Sequence, residues 1–429
     1  MKRIYLLSFL LILSVLATGC ATTTTTTSLP NPDSRYCSLN AASGAYVCAM
    51  TWTAYFKTTV SLKLYYQEGD DYSVSETFTA VGNLLRHYHE LLDRYSPYPE
   101  IVNVYSLNLG SSTESGEGTY GKTVVSPDLF FALREVLATQ AEVAGDGPLL
   151  FNAALGPVLT LWHDARESES CTVADNLVSD VCVPPSGELL GAPYPTDPDD
   201  VLLDEQNLTV AFAVPGMSLD LGGFGKGYVS ELVSDLLDAQ GATYLLNAGS
   251  SNIKAGGTNP LQESGDYFIG LTRPSFKSAG SLGYEDLYFS ILQVPHGTSV
   301  VTSGPYQNYF LGEDGTLYHH IVDPRTNRPG GVKITLAVEG PTEVAISPSD
   351  ALLSVTVFCE DGGKGDILST TLFLLSPEEG LAYVQAHSGL EAVWYFADGT
   401  IVVSDGLSQS TIEVQEGVNL PLIGYASID

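Results

Sequence analysis

Positive charge is scarce in this chain of 429 residues, where 18 Lys and Arg stand against 50 Asp and Glu for a net charge of −32. A surface of that sign repels the backbone of nucleic acids and anionic lipid head groups, so no nucleic-acid partner is expected. Any anionic ligand must then be neutralised locally, by a metal ion, a lysine or backbone amides. Long hydrophobic runs are also missing. The longest candidate, Ile4 to Leu16, falls short of the roughly 20 apolar residues that cross a bilayer. Cysteine is sparse, and neither close pair, Cys37 with Cys48 nor Cys171 with Cys182, has the spacing of a zinc site. There is no internal repeat.

What is present at the start is a basic pair, Lys2 and Arg3, the apolar run, and Leu16-Ala17-Thr18-Gly19-Cys20. This reads as a signal peptide over residues 1–19 followed by a lipid-modified Cys20. Acyl chains contribute about 0.8 kcal/mol per buried methylene, enough to hold a domain at a membrane from the extracytoplasmic side, periplasmic or cell-surface. Residues 20–48 are taken as lipidated cysteine and flexible tether, because the threonine run and the Pro and Asn after it cannot bury apolar surface. Residues 49–429 read as one large domain. Outside the cytoplasm the two cysteine pairs would form disulfides, each stabilising by roughly 3 kcal/mol. Cys359, directly after the apolar run Leu352 to Phe358, reads as a buried thiol.

Strand and helix signals alternate through the domain. Thr58 to Tyr65 alternates as a strand, and Phe78, Val81, Leu85, Tyr88 and Leu92 recur at helical spacing. Ser126-Pro127 and Ser376-Pro377-Glu378-Glu379 are helix starts. Residues 167–204, rich in Pro, Asp, Ser and Gly, read as an irregular insertion. The most informative unit is a short strand at Met217 to Leu221, the turn Gly222-Gly223-Phe224-Gly225-Lys226-Gly227, and a helix ending at Gly241, followed by a strand at Thr243 to Asn247. More strands are expected at Asp266 to Leu271, Tyr288 to Val294 and Val393 to Ala397.

A glycine turn that opens a helix gathers unpaired N–H groups at the positive end of the helix dipole, which suits a phosphate. Lys226 adds a full charge. The turn meets neither the Walker nor the Rossmann spacing. Asp366 and Thr370 are four residues apart, so on a helix they share a face and can converge on one cation. Hard oxygen donors favour magnesium.

Asp220 to Tyr228 is similar to a signature of the ApbE-type FAD:protein FMN transferases. Several blocks agree in order: Ser96-Pro97-Tyr98 leading to Asn108; Phe151-Asn152-Ala153 before Gly156-Pro157 and Leu161-Trp162; Thr302-Ser303-Gly304; His320-Ile321-Val322-Asp323-Pro324; and Asp366 with Thr370. The resemblance runs from about Thr58 to Asp405. It departs at Phe56, where the family commonly has Met, and at Asn152, where it commonly has Asp.

The resemblance implies an α+β fold of flavin-transferase (T-fold-like) architecture, a mixed sheet core flanked by helices. It implies magnesium held by Asp366, Thr370 and the Gly223 carbonyl. Tyr98, Phe151, Asn152, Asp220, Lys226 and Ile321 would meet FAD. The implied reaction moves FMN from FAD to a Thr or Ser hydroxyl of a client redox protein and releases AMP, with His320 taking the hydroxyl proton. Use of water instead would make a FAD pyrophosphatase, and absence of turnover a flavin-binding lipoprotein.

Overall fold

The computed structural model describes residues 31–174, 177–185, 189, 194–249, 251–276, 288–338, 344–407 and 412–414. The signal peptide, Cys20 and the tether up to residue 30 lie outside the described residues. The centre of the molecule is a sheet of nine strands that follow one another in chain order. They are β1 (Cys37–Leu39), β2 (Tyr46–Trp52), β3 (Val60–Tyr66), β4 (Tyr244–Ala248), β5 (Asn252–Gly256), β6 (Ser299–Ser303), β7 (Leu352–Cys359), β8 (Glu391–Phe396) and β9 (Ile401–Val403). Every neighbouring pair is antiparallel. The α+β class expected from the sequence holds, with an antiparallel central sheet. Each connection returns the chain beside the strand it left, so direction alternates. A parallel pairing occurs in a small side sheet, where Leu311 lies opposite Leu177.

Among the described residues, the long excursion between β3 and β4 carries α1 (Val74–Leu92), α2 (Val104–Gly110), α3 (Pro127–Ala144), α4 (Gly156–Glu167) and α5 (Gly225–Asp238). After β7 come α6 (Gly362–Leu374) and α7 (Pro377–Ala386). Local chemistry sets their ends. The Ser73, Ser126 and Ser376 hydroxyls accept the amides of Glu76, Leu129 and Glu379, and Glu379 returns the bond to complete a capping box. Gly241, at φ +67°, ends α5, and the next amide, of Ala242, donates back to the Leu237 carbonyl.

Strand alternation builds a core on each face of the sheet. In β8, Ala392 and Trp394 face the helices, whereas Val393 and Tyr395 face a second core with Tyr267, Ile269, Phe289 and Leu292. On the helical side, α5 and α6 touch backbone to backbone. A Cβ on Gly227 would lie 2.0 Å from the Gly362 carbonyl oxygen, so only glycine admits this approach.

Three local readings change. Met217 to Leu221 is extended but is not a strand. Its polar groups are satisfied one at a time: Ser218 bridges Leu155, the Asn108 side chain takes both the amide and the carbonyl of Leu219, and the Asp220 amide donates to Ala153. Residues 37–48, assigned to the tether, supply β1 and the start of β2. Cys37 and Cys48 stand opposite one another there, disulfide-bonded and buried in the main core. Composition hid this because the edge strand is only three residues long. The insertion over 167–204 is partly regular, with Thr172–Ala174 pairing with Leu177–Val178 beside a Cys171–Cys182 disulfide, and Val201–Asp204 pairing with Thr209–Phe212. Burial pushes the Cys359 thiol up to about 12, which leaves it protonated and inert as a nucleophile.

Candidate functional site

The first turn of α5 leaves backbone amides free to bond outside the helix. The Gly227 amide, one of the first-turn amides of α5 that have no intrahelical acceptor, donates to Asp366 Oδ2 at 2.7 Å. Among the described residues no backbone amide donates to the Gly223 carbonyl, and the Lys226 amide has no backbone acceptor. One carbonyl and one helix-end amide are thus available to a ligand. Among the described residues no carboxylate pairs with the Lys226 ammonium. In a chain this short of cations, a partly buried lysine without an ion pair marks a place for an anion.

Asp366 enters from α6 and is buried, with 6% of its surface exposed. Desolvation raises its pKa to about 6, against the pull of Lys226, the Gly227 amide and the Asn252 side chain. Thr370 follows one helical turn later and is partly exposed. The helix places it on the same face, as the spacing predicts.

The field of Lys226 also reaches His320. His320 Nδ1 lies 3.2 Å from the Asn308 carbonyl, which can only accept, so Nδ1 carries the proton and Nε2 keeps its lone pair. Solvent reaches the ring, yet crowding by protein lowers its pKa, an effect strengthened by Lys226 and Arg166. His320 is therefore neutral near pH 7. Asp323 does not engage it, because Arg325 donates to both carboxylate oxygens. The adjacent His319 is enclosed, joins Gly330 and the Ile321 amide, and is pushed down to about 3 by burial.

Phe151 forms the wall behind the turn: a Cβ on Gly223 would meet its ring edge at 3.0 Å. Asp220 shapes the turn, its Oδ1 accepting the Gly222 amide at 2.7 Å and its Oδ2 accepting Arg94 Nη1 at 2.6 Å. Asn152 spends its amide on the Thr196 carbonyl and the Ala154 amide, which anchors the end of the insertion. Tyr98 donates to Asp93 at 3.0 Å, and desolvation with that bond raises its pKa to about 12. It sits beside His89 in a group that includes Phe56. Ile321 packs in the main core and its carbonyl accepts the Gly330 amide, so it braces the segment that carries His320.

Sequence reasoning missed Arg94. Its nearly buried guanidinium ties Asp220 to Thr160, Gly156 and Ser218, joining α1, α4 and the turn. Its one visible signal was rarity, since a cation in so acidic a chain tends to have an assigned partner. Asn252, Glu231 and Lys254 were missed as well, because nothing in a strand or helix pattern marks a buried polar group.

Taken by geometry alone, the turn brings together an unpaired lysine, a helix N-terminus and a buried carboxylate. A model described as the ApbE family matches residues 56–394, and the chain belongs to that family. The FAD:protein FMN transferase of Klebsiella pneumoniae (strain 342) is 31% identical over 254 residues, covering 59% of this chain, which spans 66% of that relative's length. The FAD:protein FMN transferase of Treponema pallidum (strain Nichols) is 27% identical over 305 residues, 66% of this chain and 70% of its own. Among solved structures, the ApbE protein of Thermotoga maritima matches with a TM-score of 0.62 at 21% identity, covering 84% of this chain and 97% of that one. The flavin transferase ApbE of Vibrio cholerae matches at 0.59 and 21%, covering 84% and 98%. These likenesses bear on the fold, and it is the same fold.

Proposed function

We propose that the protein transfers the FMN half of FAD to a Thr or Ser hydroxyl of a client redox protein and releases AMP, with magnesium as the resident cation. The observation that carries this is the 2.7 Å bond between the Gly227 amide and Asp366. It joins an anion-binding helix end to a lone buried carboxylate within a single bond.

The donors present fit magnesium. Among the described residues no group of three or more His, Cys, Asp and Glu side chains could hold a metal. The candidate set is instead one carboxylate, the Gly223 carbonyl without an amide partner, and the Thr370 hydroxyl. Magnesium is bound in this manner, with few protein oxygens, the ligand's phosphates and retained waters. Held there, it supplies electrostatic stabilisation to the departing phosphate.

The chain's own residues do the rest. The free Lys226 amide at the start of α5 and the Lys226 ammonium hold the diphosphate, and Phe151 closes the space behind the turn. His320 Nε2 takes the proton as the client oxygen bonds to the phosphorus of the FMN moiety. The bond from that phosphorus to the bridging oxygen breaks, and the oxygen leaves with AMP. The lipid on Cys20 would place this chemistry at the extracytoplasmic face of a membrane.

The test is incubation of FAD, magnesium and a candidate client with the wild-type protein and Asp366→Ala. Flavin covalently bound to the client, with one AMP released per flavin, is expected from the wild type alone. Free FMN formed equally with and without client would mean that water is the acceptor. Unaltered turnover in Asp366→Ala would exclude the metal assignment.

A further inference from the structure

Behind Asp366 lies a group of polar side chains, buried at Asn252 and Lys254 and partly exposed at Glu231, that the reaction does not use. Asn252 opens β5 and is 0% exposed. Its Nδ2 donates to the Gly362 carbonyl at 3.2 Å and to Asp366 Oδ1 at 3.5 Å, while its Oδ1 has no partner. Glu231, on α5, accepts the Gly362 amide at 2.7 Å and the Ser299 hydroxyl at 3.0 Å through Oε1. Its Oε2 accepts Lys254 Nζ at 2.9 Å, and Lys254, 6% exposed, also donates to the Glu360 carbonyl.

Stability is a poor explanation for such a group. A buried ion pair seldom outperforms well-packed apolar side chains of the same volume, and an amide oxygen buried without a partner is a cost. The bonds do have a common target. Both bonds from Asn252 and one of those to Glu231 end on Gly362, at the start of α6, or on Asp366 one turn further, while Lys254, held by Glu231, bonds the residue two before Gly362. Asp366 is consequently tethered from two directions, by α5 through Gly227 at Oδ2 and by β5 through Asn252 at Oδ1.

We infer that Asn252 and the Lys254–Glu231 pair are positioning residues for the cation site, bracing the first turn of α6 so that the Asp366 carboxylate is presented to the metal in one orientation beside the α5 turn. The inference rests on the proposed metal role of Asp366 and adds how the carboxylate is held. Partners that orient a metal-binding side chain contribute to affinity without touching the ion.

The experiment measures Mn2+ binding by electron paramagnetic resonance, with ADP present as a diphosphate that cannot donate FMN, on wild type, Asp366→Ala, Asn252→Leu and Glu231→Gln. Asp366→Ala should abolish binding. Asn252→Leu, of nearly equal volume, should weaken it about 10-fold or more, and Glu231→Gln, which keeps an acceptor for Gly362 but lacks the charge, should weaken it in the same direction. In turnover assays the magnesium concentration for half-maximal rate should rise in parallel, while the rate at saturating magnesium stays within about twofold of wild type, because the reacting groups are untouched. A purely structural role would instead lower the rate at every magnesium concentration and leave Mn2+ affinity of the folded fraction unchanged. Loss of binding in Asp366→Ala with wild-type affinity in both other variants would overturn the brace alone. Intact binding in Asp366→Ala would overturn the metal reading and the brace with it.

Discussion

Asp366 is a carboxylate held where water scarcely reaches, and its ionisation works against the fold. In the unfolded chain it titrates near its ordinary 3.8; in the folded protein desolvation raises this to about 6. Below about pH 4 it is protonated in both states and costs nothing. As pH climbs towards 6 the folded state must ionise a buried group, and stability falls until both forms are charged. Asp366→Asn should therefore raise the melting temperature of the metal-free protein at pH 7.5, by up to roughly 3 kcal/mol of stability, with the gain vanishing near pH 4. Thermal melts in EDTA across this range check the sign, and a lower melting temperature at pH 7.5 would contradict it. The same variant should lose magnesium-dependent turnover. A residue retained at the expense of stability is one kept for its chemistry.

Single residues were unequally legible. Lys226 and Asp366 could be found because a glycine turn before a helix and a four-residue spacing both have geometric meaning in one dimension. Arg94 and Asn252 could not, since their partners lie far along the chain: Arg94 meets Asp220 across 126 residues and Asn252 meets Asp366 across 114.

Between α5 and α6 the decisive quantity is distance. A methyl group on Gly227 would fall 2.0 Å from the Gly362 oxygen, 2.4 Å from its carbon and 2.7 Å from the Gly363 nitrogen, all main-chain atoms that no rotamer change can move aside. Gly227→Ala should push the helices apart, costing about 1–3 kcal/mol or more, and should break the bond to Asp366. Urea melts measure the first effect. Weaker FAD binding in the folded protein measures the second, and an unchanged dissociation constant would show that the contact is dispensable. Helix ends were the most legible elements, because Ser73, Ser126, Ser376 and Gly241 declare themselves through capping chemistry that needs no tertiary context. Strand-like sequence misled at Met217 to Leu221, where side chains from elsewhere supply the bonds a neighbouring strand would have made.

Across the whole molecule, a net charge of −32 must be confined within one folded volume. Like charges repel more in the compact state than in an expanded chain. Raising NaCl from roughly 0.01 M to 1 M shortens the screening length from about 30 Å to about 3 Å and should raise the melting temperature. A fall over that range would mean that the surface ion pairs, such as Arg134 with Glu205, outweigh the repulsion. Charge of this kind is legible from composition, as is the mixture of helix and strand. The order of the strands is not, because pairing across an interval as long as that between β3 and β4 leaves no local trace.

That interval also governs when the protein becomes competent. Gly227 and Asp366, which share one hydrogen bond, are separated by 139 residues, and α6 emerges only after seven of the nine strands have been made. A nascent chain thus exposes a positively polarised helix end long before its counter-charge exists, and no product that stops short of α6 can close the pair. A ligand that needs both halves must therefore wait for α6, with β8 and β9 still to follow.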